Sequence, residues 1–180
     1  MAIDLGQLKQ YNAEKGIKFE YGSKVYHIQP TVEQGLAFQV ALHGRDERGR
    51  ELEATMSNPD ATDAEVKKAR EEYRYHNTFG TYEITAPFFG SKFHYPTKSK
   101  PARFEGGVIG ELLEAGMDYG TVDRVISTLY LVMVNTEDVA MEYMKSGKLG
   151  QALATVEARE KDAQATRETQ TAPGETGGTD

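Results

Sequence analysis

The chain has 180 residues, no cysteine, and a net charge of −7 from 21 Lys and Arg against 28 Asp and Glu. Without cysteine there is neither a disulfide framework nor a thiolate metal site. The acidic balance, with pI near 5.2, argues against a non-specific grip on nucleic acid, which needs cations to neutralise phosphates.

The opening MAIDLGQLKQ has no basic region followed by an apolar run, and no stretch approaches the roughly 20 apolar residues of a bilayer span, so a soluble, unexported chain is expected. Ile3, Leu5, Leu8 and Tyr11 suggest a short helix over 3–13, ended by Gly16. The runs IKFEY and KVYHIQ flank Gly22-Ser23, a two-residue connection suited to a type II′ hairpin turn. Pairing Tyr21 with Lys24 sets Phe19 opposite Tyr26 and Ile17 opposite Ile28, which places four apolar side chains on one face. A lone hairpin is marginal, so that face must pack on helices.

Pro30 ends the second strand, and Thr31 to Gln34 has the spacing of a capping box. The helix it opens is expected to run to His43 and stop at Gly44, with Val32, Leu36 and Val40, flanked by Ala37 and Ala41, facing inward. Residues 44–60 are polar, carry two glycines and read as a loop. Thr62 to Glu65 repeats the capping-box spacing and opens a charged helix to about His76, with a weak stripe of Val66, Ala69 and Tyr73. Residues 78–104 then turn aromatic, with three prolines and the strand-like TYEIT, and predict an ordered but irregular arm.

Residues 106–147 hold the densest helical periodicity, and the rest of the chain is organised around them. Val108 to Ala115 predicts a short amphipathic helix ended by Gly116. Thr121 restarts the chain as an N-cap for VDRVISTLYLVMV, a helix apolar on nearly every side and therefore buried by its neighbours. Asn135 and Thr136 break that run; Glu137 and Asp138 open a third helix with Val139, Ala140, Tyr143 and Met144 inward and Gly147 at its end. Short connections make the three an antiparallel stack. From Thr155 onward Val156 is the only apolar residue larger than Ala, so 149–164 predicts a frayed helix and 165–180 a disordered end. The fold class is α+β, mostly helical: a single hairpin-plus-helices domain over 1–154 with a flexible polar tail over 155–180.

Chemistry is sparse. His27, His43, His76 and His94 fall in separate elements and none belongs to an HExxH-type pair. Gly90-Ser91-Lys92 resembles the end of a phosphate loop but lacks its first glycine and a preceding buried strand, which leaves a turn. Glu111 with Glu114, and Glu137 with Asp138 and Glu142, are explained by exposed helix faces and helix N-termini, since nothing suggests the burial that shifts a carboxylate. Met117, Met133, Met141 and Met144 fit core packing better than a binding groove. Lys92, Lys98, Lys100 and Arg103, interleaved with Phe93, Tyr95 and Phe104, could neutralise and stack single-stranded nucleic acid, yet the acidic chain, the prolines and the missing RNA-module motif favour a protein edge or simple packing. No catalytic, metal or cofactor site is expected.

FEYGSKVYHIQPTVEQGLAFQVAL (19–42) and GELLEAGMDYGTVDRVISTLYLVMVNTEDVAMEYMKSG (110–147) together resemble the tail assembly chaperones of long-tailed phages of actinobacterial hosts. The first block is similar to that family's hairpin, proline and first helix. The second resembles its helical block, with the glycine after the short helix, the Thr-Leu-Tyr centre at 128–130 and the acidic restart before Tyr143. Region 44–105 is longer and more aromatic than the family pattern, and no tryptophan is present. The resemblance implies a non-enzymatic protein of the host cytoplasm. It would hold the tape-measure protein soluble while tail-tube subunits polymerise around it, have a longer frameshift form of itself, and be absent from the mature virion. Client contacts are expected on the 78–104 arm at Phe88, Phe89, Phe93 and Tyr95; the alternative is a structural tail or connector protein retained in the particle.

Overall fold

The computed structural model describes residues 16–171, with side chains through residue 164. The expected helix over 3–13 and the last nine residues lie outside the described residues. The elements are β1 (Ile17–Tyr21), β2 (Lys24–Ile28), α1 (Val32–Ser57), α2 (Asp63–Thr85), a 3₁₀ turn (Ala86–Phe89), β3 (Lys92–His94), β4 (Arg103–Glu105), α3 (Gly107–Glu114), α4 (Tyr119–Val134), α5 (Glu137–Ser146) and α6 (Leu149–Thr171). The fold is α+β and mostly helical, with the N-terminal hairpin packed on helices.

β1 and β2 pair in the expected register, with Ile17 opposite Ile28, Phe19 opposite Tyr26 and Tyr21 opposite Lys24. Gly22 has φ of 61° while Ser23, like every other described non-glycine residue, has no positive φ, the sign pattern of a type II′ turn. Ile17, Tyr26 and Ile28 are buried and Phe19 stacks on Tyr26, while His27 and Val25 face out. Their buried face meets Ile109 and Leu112 of α3 and the stripe of α4 in one core with Phe89, Met117 and Ala140. α4 is the centre of that core: Val122, Val125, Ile126, Leu129 and Val132 are each no more than 1% exposed.

The helix ends follow local chemistry. Gly116 N–H reaches Leu113 O and Met117 N–H reaches Leu112 O, both at 3.0 Å, the paired bonds of a Schellman end to α3. α4 starts earlier than the sequence suggested: Asp118 is its N-cap and accepts from Thr121 N–H at 3.0 Å, so Thr121 lies inside the first turn. Its hydroxyl and amide hydrogen bonds hold the Asp118 carboxyl below the usual carboxylate range. Thr136 caps α5, Gly147 ends it at φ of 66°, and Val139 and Ala140 face inward with Tyr143 and Met144 half-buried, as expected.

Four expectations are corrected. α1 does not stop at Gly44 but runs to Ser57, so most of the expected 44–60 loop is helix. Two interior glycines cost about 1 kcal/mol each, and the pairing with α2 offsets them. Arg48 reaches Glu51 on its own helix and Glu72 on α2, Tyr73 donates to Glu53, and Gly49 lies so close to His76 that a Cβ would come within 3.2 Å of its ring. Likewise α2 continues past His76 to Thr85 before Pro87 ends it, so TYEIT is its last turn rather than a strand. At the far end, α6 runs unbroken from Leu149 to Thr171, through the point where the tail was expected to begin, because Ala152 and Val156 pack one turn apart against Val139.

The inner face of α1 is the fourth. Val32, Leu36 and Val40 point outward at 54%, 51% and 75% exposure, while Gly35, Phe38 and Leu52 are buried. Phe38 joins Ile84 and Met133 in a second core cluster, with Leu42, Phe88 and Tyr130 around it. The capping box does form: Thr31 Oγ1 accepts from Gln34 N–H at 3.1 Å and Gln34 Oε1 accepts from Thr31 N–H at 2.9 Å. Thr31→Ala should therefore cost about 1 kcal/mol, read as a lower urea midpoint with unchanged slope. An unshifted midpoint would show that the box contributes nothing.

Candidate functional site

Because Phe38 rather than Leu36 turns inward, α1 leaves a groove against the end of α2 and the 3₁₀ turn. Its volume is about 520 Å³, and it is lined by Gln34, Ala37, Phe38, Ala41, Gly44, Arg45, Arg48, His76, Glu83, Ile84, Pro87 and Phe88. Ala37, Ala41 and Gly44 recur at steps of four and three, so one wall is nearly free of side chain and another backbone can come close. The floor is apolar. Phe38 and Phe88 meet at 5.5 Å between ring centroids, with Ile84 in the same cluster.

The other end of the groove is charged. Arg45 lies across Gly80, where a Cβ would come within 2.7 Å of its Nε, and that Nε is buried without a hydrogen-bond acceptor. Burial, then the charge of Arg45, lowers the pKa of His76, which favours its neutral form at neutral pH. Glu83 accepts from the Tyr95 hydroxyl at 2.6 Å, and burial followed by that bond raises the phenol's pKa above its ordinary value. A short apolar trough with a polar rim at one end suits one face of an amphipathic helix that lays its apolar side inward. Among the described residues, the lining of the groove includes no Ser, Thr, Cys or Lys.

The four expected contact residues do not share a surface. Phe88 is half-buried and lines the groove; Phe89 is 2% exposed and belongs to the main core, which removes it from any contact surface. Phe93 and Tyr95 pack instead into an aromatic cluster on α2. Phe93 lies 5.2 Å from both Tyr95 and Phe104, 5.6 Å from Tyr82 and 5.7 Å from Phe79. Each such pair contributes roughly 0.5–1.5 kcal/mol beyond area burial. Rings that would have stacked on bases are thus turned on one another, and Lys92, Lys98, Lys100 and Arg103 remain an exposed fringe. Under the cluster, a cavity of about 300 Å³ reaches Val122 and Ile126, and the Tyr82 hydroxyl donates to Asp123 at 2.6 Å beside it.

Gly90-Ser91-Lys92 is a turn with a structural task. Gly90 adopts φ of 62°, and the 6% exposed Ser91 accepts the Ile109 N–H at 3.1 Å, satisfying a donor in the first turn of α3. Met117 and Met133 are buried and Met144 half-buried, whereas Met141 is 40% exposed. Among the described residues no three His, Asp or Glu side chains gather as a metal site requires, and no helix is long and apolar enough to cross a membrane. Comparison with family models, with curated proteins and with solved structures finds no match.

Proposed function

We propose that this protein is a phage tail assembly chaperone that holds a helical client, the tape-measure protein, in the α1 groove. One observation carries the reading: an open apolar trough with a wall of Ala37, Ala41 and Gly44 and a floor of Phe38, Ile84 and Phe88. A client helix with aliphatic side chains at steps of three and four would bury that face there, and the short length of the trough keeps the contact reversible. The resemblance of 19–42 and 110–147 to the chaperone family supplies the identity of the client, the place of action in the host cytoplasm, and the expectations of release before the virion is complete and of a longer frameshift form. Tail-tube subunits would displace the chaperone by covering the same client face.

The test is co-expression with segments of the tape-measure protein. The unaltered chaperone should keep them soluble and co-purify with them. Ala41→Arg puts a long cation into the trough at an exposed position, where stability should change by no more than about 0.5 kcal/mol. Client affinity should fall tenfold or more, about 1.4 kcal/mol. Full client binding by Ala41→Arg would place the client elsewhere. Stoichiometric recovery of the 180-residue chain from purified virions would instead identify a structural tail or connector protein.

A further inference from the structure

At the charged end of the groove, Arg45 is a cation without a counterion. Its Nε is buried with no acceptor, and among the described residues no carboxylate pairs with its guanidinium. The other charged residues of the lining are already engaged: Arg48 with Glu51 and Glu72, and Glu83 with the Tyr95 hydroxyl at 2.6 Å. Arg45 is also held in place. It lies over Gly80, a buried position of α2 where a Cβ would come within 2.7 Å of Nε and 3.2 Å of Cδ. A glycine inside a helix weakens it, and a buried donor without an acceptor weakens the fold further. Neither cost is recovered by a contact among the described residues. We propose that the missing acceptor comes from the bound helix, and that Arg45 receives an Asp or Glu side chain of the client.

The inference rests on the reading of the groove as the client site. Arg45 is four residues beyond Ala41, which places it about 6 Å further along α1 and only about 40° round it. On α2, Gly80 beneath the guanidinium is likewise one turn before Ile84. The charge therefore lies one turn beyond the apolar trough as measured on either helix. A client helix shows the trough residues three and four apart. If its apolar side chains cover Phe38, Ile84 and Phe88, the next residue on that face reaches the guanidinium. The planar fork of Arg matches a carboxylate with two parallel N–H donors. A phosphate group, with a charge near −2, calls for more cations than the one that Arg48 leaves over. A wholly apolar helix would bury the guanidinium unpaired, so the requirement for an acid selects and registers the client segment.

The probe is a tape-measure segment that co-purifies with the unaltered chaperone, made as a fluorescent peptide with both ends capped so that only side chains carry charge. Its affinity is read by anisotropy, with Ala41→Arg reporting whether it occupies the groove. Changing the acids of the peptide one at a time to amides should identify one whose loss weakens binding about tenfold or more. Arg45→Gln should weaken the parent peptide equally and that amide peptide no further. Gly80→Ala should act in the same direction, because its Cβ displaces the guanidinium without removing it, while the urea midpoint stays at or above the parental value. Undiminished binding by Arg45→Gln, or equal losses on the acidic and amide peptides, would overturn the pairing, and sensitivity to Ala41→Arg would still keep the client in the groove. If no segment responds to Ala41→Arg, the groove reading falls and the pairing falls with it.

Discussion

Leu129→Asp should abolish the cooperative fold at neutral pH. Leu129 is fully buried, one turn from Val125 and beside Ile126 and Val132 in the same cluster, all 1% exposed or less. Losing its side chain forfeits about 1.5–3 kcal/mol of burial, and a carboxyl group there finds no partner of opposite charge in an apolar cluster. The sum exceeds the roughly 4–5 kcal/mol that marks an exceptional single substitution and is a large part of a stability of about 5–15 kcal/mol. Burial raises the pKa of the introduced carboxyl in the folded state above its unfolded value of about 3.9. Its penalty is therefore smallest below pH 4 and grows as pH rises through the folded pKa. Leu129→Asn, which cannot titrate, should lack that dependence, and Leu129→Met should cost under about 1.5 kcal/mol. Thermal melts of the three across pH 4 to 7 check this, and a parental melt for Leu129→Asp would refute the place of α4 at the centre of the core.

The parts of this fold legible in the sequence are those set by neighbours along the chain. The β1–β2 register follows from one glycine at positive φ and strict alternation around it; the ends of α3 and α5 follow from Gly116, Thr136 and Gly147. α1 shows the limit. Val32-Leu36-Val40 and Phe38-Leu42 both keep helical spacing, and periodicity cannot say which turns inward; packing of Phe38 on Ile84 and Met133 decides it. The far halves of α1 and α2 escape detection for a related reason. Apart from the pair Leu52 and Ala69, no residue between 46 and 76 is buried, and contacts such as Arg48 with Glu72 join residues 24 apart. The groove is harder still to read, since its wall is alanine and glycine, residues that carry no signature until a second helix defines the opposite side. The aromatic arm was visible as composition, but only pairing of β3 with β4 determines that Phe93 and Phe104 face each other.

Gly107→Ala should be the most damaging change of a single methyl group. Gly107 opens α3 at φ of 59°, and a Cβ built there would lie 2.4 Å from the carbonyl carbon and oxygen of Gly90 and from Phe89 O. Those atoms are backbone, so no side-chain rotation relieves the overlap. The strands on either side fix the approach: β3 leaves Ser91 on one side, β4 enters at Gly106 on the other, and Ser91 Oγ accepts the Ile109 N–H across the same junction. Two costs combine. Positive φ at a residue with a Cβ costs roughly 1–2 kcal/mol, and forcing backbone segments apart in a packed region typically adds about 1–3 kcal/mol. Gly90→Ala separates them, because Gly90 has φ of 62° and ψ of 18° and a built Cβ there meets nothing nearer than Gly107 Cα at 3.9 Å, so it bears the conformational cost alone. Urea unfolding of the two variants should therefore show Gly107→Ala lower in stability by the packing cost, with unchanged slope. Because Phe89 and Ile109 lie in the core on either side of this contact, the excess should appear as global destabilisation rather than local fraying. Equal losses for the two variants would mean that α3 does not press on the turn at Gly90, and would remove the junction that ties the aromatic arm to the core.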